Sequence, residues 1–180
     1  MMHIILWEMS KGAERFSSSI GMTFDTSGIN VRAAKFARTY LTKWLADLDK
    51  TSREIVRNAL ALFAETPGMT IGDLVKMLPF NEERALRIAV TETTRIYAKG
   101  QMIAAQELKE QYPDVRIIKT WFTDNDDKVC EICGPLHGMT IDVDEPFYDI
   151  EDDLYQDGNP PAHVNCRCWI ETSTDIRGTR

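Results

Sequence analysis

The chain has 180 residues, 43% of them hydrophobic, with four Trp, seven Phe and five Tyr. That suffices for a buried core in one domain, or one domain with an extra lobe, and excludes a disordered chain. A formal net charge of −7 argues against a protein whose main task is to track nucleic acid through phosphate contacts.

The acidity is local. Asp142, Asp144, Glu145, Asp149, Glu151, Asp152, Asp153 and Asp157 fall in one stretch without Lys or Arg, and the rest of the chain is close to neutral. Such a block reads as a solvated loop, and it lacks the spacing of a calcium loop. Near the start, Ile4-Ile5-Leu6-Trp7 is too short for a signal peptide and Glu8 interrupts it. No run is long enough to span a membrane. The expectation is a cytosolic, unsecreted chain with reduced thiols and no membrane partner.

Residues 1–29 are mixed and read as an N-terminal arm; the doubled Met and late onset of pattern suggest an arm or a truncated start. Asn30 then offers an N-cap, and Val31, Ala34, Ala37, Tyr40 or Leu41, Trp44 or Leu45, and Leu48 make one helical stripe. Thr51-Ser52-Arg53-Glu54 has the form of a capping box for a second helix, with Ile55, Val56, Ala59, Leu60 and Phe63 on one face. Pro67-Gly68 stops it. Thr70 caps a short third helix, Ile71 to Leu78, ended by Pro79. Asn81 caps the longest helix, running to about Glu110, with Ala85, Ile88, Ala89, Ile96 and Ile103 on its buried face. Glu92 falls on that face too. It is either an inward-leaning, solvated residue or one half of a buried pair with Arg95, Arg84 or Arg87; no partner acid or nucleophile marks it as catalytic.

Pro113 ends the helical region, taken as residues 30–112, and composition changes. Val115, Ile117 and Lys119-Thr120-Trp121-Phe122 read as a strand, residues 123–127 as a turn, and Met139-Thr140-Ile141 as a second strand. Phe147, Tyr148, Leu154 and Tyr155 anchor the acidic loop, and Trp169-Ile170 closes the sheet. The lobe spans residues 113–172; the polar residues from Glu171 suggest a loose tail, with 173–180 outside the lobe. The fold class is therefore α+β: an N-terminal helical array followed by a small, zinc-stapled, β-containing lobe.

The zinc expectation rests on the cysteines. All four lie in two knots, Cys130-x-x-Cys133 and His163-Val164-Asn165-Cys166-Arg167-Cys168. Zinc takes four soft or borderline ligands in a tetrahedron, and two such knots supply them. Gly134-Pro135 can reverse the chain after the first knot and Pro160-Pro161 stiffens the approach to the second. Two disulfides would need an oxidising compartment, and inert buried thiols have no reason to cluster at ligand spacing. Cys130 and Cys133 are the firmest ligands. His163 and Cys166 have the spacing of a second pair, and Cys168 can replace Cys166. His137 is a weaker sixth candidate, read first as a turn residue.

Two other chemistries use similar residues. A zinc deaminase needs Glu two positions after a ligand His, which His3, His137 and His163 all lack; a treble-clef nuclease needs a second histidine beside the knot, and His137 is the only spare one nearby. A zinc module for nucleic acid could stack bases on Trp121, Phe122 and Trp169, but few basic residues (Lys119, Lys128, Arg167) accompany them, and filling the core is the simpler use of those rings.

The sequence also resembles the phage Mu F-like, or phage head morphogenesis, family over roughly residues 45–172. The residues that carry the likeness are Arg87-x-x-x-Thr91-Glu92-Thr93-x-Arg95, Lys119-Thr120-Trp121 with Asp124, Asp127-x-Val129-Cys130-x-x-Cys133-x-x-Leu136-x-Gly138, and Pro160-Pro161-x-His163-x-Asn165-Cys166-Arg167-Cys168. The last run is the most diagnostic. The resemblance implies a minor head protein, present in few copies in the virion and in the host cytoplasm during assembly; such a role asks for interaction surfaces and not a poised nucleophile, so no enzyme is expected. It implies action in procapsid assembly near the portal, with portal and capsid or scaffold proteins as partners and packaged DNA as a possible secondary contact. It also implies a structural Zn2+ held by Cys130, Cys133, His163 and one of Cys166 and Cys168.

Overall fold

The computed structural model describes residues 29–39, 46–148 and 158–175. Apart from Ile29 the N-terminal arm lies outside them, as do Tyr40, Leu41, Trp44, Leu45, Leu154, Tyr155 and the residues beyond Asp175.

Helices come first: α1 (Ile29–Thr39), α2 (Lys50–Glu65), α3 (Ile71–Met77) and α4 (Glu82–Gln111). α1 packs on α2 and α4, and α3 packs on α4 and α2. Their shared core mixes small residues (Ala34, Ala37, Ala59, Ala61, Ala85, Ala89) with Val56, Leu60, Phe63, Leu74, Ile88 and Ile96. The alanines let the axes approach closely while the larger side chains fill the spaces between them.

The helix starts show which local signals decided. Thr70 and Asp73 form a reciprocal capping box at α3, and the Asn81 side chain accepts from the Arg84 N–H at α4, both as the sequence suggests. α2 differs: its cap is Asp49, whose Oδ1 accepts from the Ser52 N–H at 2.9 Å. Asp is as good a cap as Thr and its carboxylate also favours the positive helix N-terminus. Thr51 lies inside the first turn, so the expected box at Thr51–Glu54 does not form, and Arg53 reaches back to the carbonyls of Ala46 and Leu48. Asn30 is also displaced; it sits in the first turn of α1, not at its cap. The first stripe does not stay helical to Leu48. That residue is buried, but in the bend that leads to Asp49.

α4 has 30 residues, about 45 Å at 1.5 Å per residue. Its first half carries Ala85, Ile88, Ala89 and Ile96 into the helical core. Its second half carries Ala98, Ala105 and Leu108 into the cores beneath the sheet; Ile103 is only half-buried. Midway, Arg95 Nε and Glu92 Oε2 pair at 3.3 Å with both side chains 2% exposed, so Glu92 is the buried partner and not the solvated one. Arg87 pairs instead with Glu83, and Arg84 lies over the Phe80 ring.

The sheet is antiparallel with order β2-β1-β3, formed by β1 (Ile117–Phe122), β2 (Thr140–Asp142) and β3 (Trp169–Thr174). Ile117, Lys119 and Trp121 face inward and alternate with half-exposed neighbours, as one covered face requires. β3 pairs with the whole of β1, from Phe122↔Trp169 to Ile117↔Thr174. The tail expected from Glu171 is thus strand as far as Thr174. Its polar residues alternate on an antiparallel strand, where one side can face water. Val115, expected to open β1, precedes it.

The acidic stretch is not all solvated loop. Arg116 pairs with Asp142, and Lys109 of α4 pairs with Asp144. Phe147 is buried, and the neck is closed by Phe147 N–H to the Gly158 carbonyl and by Tyr148 O–H to the Asn159 carbonyl. Lys119, buried beside that neck, donates to Asn159 Oδ1 at 2.8 Å and lies 5.3 Å from the Phe147 ring centroid. The chain is thus a mixed fold: helices followed by a small three-stranded sheet.

Candidate metal centre

The first knot follows β1. Val129 N–H bonds to the Asp126 carbonyl, the Gly134 N–H to the Cys130 carbonyl, and a short 3-10 turn (Gly134–Leu136) leads to Gly138. Gly138 has φ +77, and its N–H reaches the Trp121 carbonyl; a side chain would be strained in that left-handed turn. The Cys133 N–H points at Cys130 Sγ, 3.4 Å away. The second knot approaches through a cis Pro160–Pro161 bond. Asn165 then takes φ +64 and the Cys166 N–H bonds to the His163 carbonyl. Asn tolerates that left-handed conformation better than most residues.

The five ligand candidates converge. Cys130 Sγ is 3.1 Å and Cys133 Sγ 3.3 Å from His163 Nε2, and Cys133 Sγ is 3.8 Å from Cys166 Sγ. The donor atoms form two groups, Cys130/Cys133/His163 and Cys133/Cys166/Cys168, in each of which all lie within 4.8 Å of one another. Cys133 belongs to both. All four cysteines are free thiols, and the Cys133–Cys166 separation is far beyond a disulfide bond of about 2.05 Å. It equals the edge, about 3.8 Å, between two sulfurs each about 2.3 Å from one tetrahedral zinc.

His137 is not part of the cluster. Its Nδ1 accepts the Thr123 N–H at 3.1 Å, and its ring meets Phe122 edge-on. It serves the turn, as its setting in Leu136-His137-Gly138 suggests.

The donor chemistry fits a metal. His163 Nδ1 lies 2.8 Å from the Val164 carbonyl, which can only accept, so Nδ1 carries the proton and Nε2 is left with a lone pair facing the sulfurs. Metal-bound histidines are oriented in this way. Contacts with Cys166 and Cys168, together with burial, push the Cys133 thiol up. Cys133 pulls the Cys168 thiol down, but Cys166 and burial outweigh it and hold Cys168 up at about 12. Cys166, which receives hydrogen bonds from Cys133 and Cys168, is the sulfur held low. Three sulfurs packed this closely cannot all be thiolates without a cation among them. The Trp121 indole N–H, buried and without a hydrogen-bond partner of ordinary geometry, favours the Cys168 thiolate.

Side chains outside the ligand set hold the knots. Arg167 donates to Asp124 at 2.6 Å and to Asp126 at 2.7 and 3.0 Å, tying the second knot to the turn before the first. Thr91 and Thr94 of α4 bond to the backbone at Asn165 and Cys166. Sequence reasoning assigned no role to Thr91, Thr94 or Asp126. Thr91 stood in a recognisable motif, yet only the fold brings it to the knot.

The family model for phage Mu protein F-like proteins matches residues 35–171. The chain belongs to this family. The matched span of this Mu F-like protein runs from within α1 into β3 and includes all five candidate ligands. Comparison with curated proteins and with solved structures gives no match. Among the described residues, no helix is long and apolar enough to cross a membrane.

Proposed function

We propose that this Mu F-like protein is a phage minor head protein that acts in procapsid assembly near the portal and holds one structural zinc. Membership in the head morphogenesis family supports the assembly role. The observation that supports the zinc is the pair of overlapping donor groups, Cys130/Cys133/His163 and Cys133/Cys166/Cys168, which share Cys133. Cys130, Cys133 and His163 supply three ligands, and Cys166 or Cys168 the fourth. A closed set of thiolates and imidazole leaves no open position for substrate, in keeping with a structural and non-enzymatic role. A lobe of about sixty residues buries little surface for its size, and metal binding adds directly to its folding free energy.

The partners proposed are portal and capsid or scaffold proteins, in the virion and in the host cytoplasm during assembly, with packaged DNA as a secondary contact. A base-stacking role gains no support from Trp121, which is fully buried against Phe147 and Tyr148, nor from Phe122, which is stacked on Trp169 at 5.7 Å. The test is a quantitative mass-spectrometric count of this chain against the portal protein in purified procapsids and virions, with zinc measured on the isolated protein. A fixed, low stoichiometry is expected. Absence from particles while the gene is expressed would overturn the assembly role.

A further inference from the structure

The second knot is gripped by α4 through a pair of threonines one helical turn apart. Thr91, 1% exposed, accepts the Asn165 N–H on Oγ1 at 2.8 Å and donates its own O–H to the Arg87 carbonyl at 2.7 Å. Thr94 Oγ1 donates to the Cys166 carbonyl at 3.0 Å. The two hydroxyls therefore hold the N–H of one residue and the C=O of the next. Between those groups lie the left-handed Asn165 and the Cys166 Cα that carries a ligand. That turn decides whether His163 and Cys166 face the same point, and even Asn, which tolerates the left-handed region better than most residues, is less at home there than Gly.

We infer that Thr91 and Thr94 are positioning residues that hold the second knot in its ligand-ready shape before the metal arrives. The contact is made by helix side chains on backbone groups, so it needs no metal to form. A rigid helix is also a better platform for such a constraint than a loop. This rests on the zinc reading above. It goes beyond that reading by placing part of the metal affinity on a helix that contributes no ligand. Partners that orient ligands from outside the coordination sphere typically cost about 10–100-fold in affinity when removed.

The test compares wild type, Thr91→Val and Thr91→Ser in the full chain, each stripped of metal. Val keeps the shape and loses the hydroxyl; Ser keeps the hydroxyl. Two quantities are read: amide exchange at Asn165 and Cys166 in the stripped protein, and zinc affinity by competition with a chromogenic chelator. Thr91→Val is expected to exchange faster and to bind zinc about 10–100-fold more weakly, with Thr91→Ser close to wild type on both. Faster exchange with unchanged zinc affinity makes the contact structural only and overturns the inference. So does a Thr91→Val protein that matches wild type on both readings. Wild type that takes up no zinc overturns the metal reading itself, which separates that failure from a failure of the threonine clamp alone.

Discussion

Arg95→Met is the substitution whose cost the structure fixes best. Arg95 and Glu92 are both 2% exposed and sit midway along α4, between the core under the helices and the core under the sheet. Removing the guanidinium leaves a carboxylate in a place water does not reach. Breaking a buried pair in this way costs about 3–5 kcal/mol, a large share of the 5–15 kcal/mol that holds a typical domain together. At roughly 2–4 °C per kcal/mol for a chain of this size, the melting temperature is expected to fall by about 6–20 °C. Urea unfolding followed by far-UV circular dichroism measures the loss of unfolding free energy directly, with an unchanged slope if the unfolded state is unaffected. The double variant Glu92→Leu/Arg95→Met is expected to recover most of the loss, because an apolar pair of similar volume removes the charge with its partner. A loss below about 1 kcal/mol, the scale of an exposed pair, or a double variant as unstable as the sum of the singles, would refute the buried-pair reasoning.

Cys130→Ser is expected to lose metal and the near-ultraviolet signal of the sheet lobe while most far-ultraviolet helicity stays; a variant that keeps one zinc and an unchanged melting curve would remove Cys130 from the ligand set. Trp121→Ala deletes a fully buried ring from the core beside the cysteines and is expected to cost about 3–5 kcal/mol; a cost under about 1 kcal/mol in urea unfolding would contradict that placement. Hydrogen bonds from the Ser52 hydroxyl and N–H hold the Asp49 carboxyl below its ordinary value. Its stabilising effect is therefore full above the unfolded value, about pH 3.9, and is lost as pH falls through the lower folded value. The stability gap between wild type and Asp49→Ala should be flat above about pH 5 and shrink below about pH 4; a gap independent of pH would show that the charge contributes nothing.

What the sequence disclosed followed from short-range rules. Thr70 and Asn81 are legible as caps because their partners lie three residues on, and the two cysteine knots because closely spaced Cys and His side chains are brought together by their own short turns. Glu92 was legible as a problem, an acid on an apolar face, and Arg95 as one answer to it. The failures are cases where a non-local partner or a local competitor decided. Asp49 outcompeted Thr51 for the start of α2. The polar residues of β3 look like tail until β1 pairs with them. Thr91 and Thr94 could be given no task, because Asn165 and Cys166 are distant in sequence and meet them only in the fold.

The pairing of β1 with β3 also bears on when the lobe can form during synthesis. The helical array is complete once α4 has been made and can consolidate while later residues are still being added. The lobe cannot, because β1 has only the three residues of β2 to pair with until Trp169–Thr174 leave the ribosome. In the second half of α4, Ala105 and Leu108 can be covered by Ile117 and Val143 soon after they are made, but the cluster around Ala98 stays incomplete until Ile170 of β3 arrives. A nascent chain stalled before Trp169 should therefore present a folded head on an unfinished stem. That is the stage at which this protein is most open to proteases and chaperones.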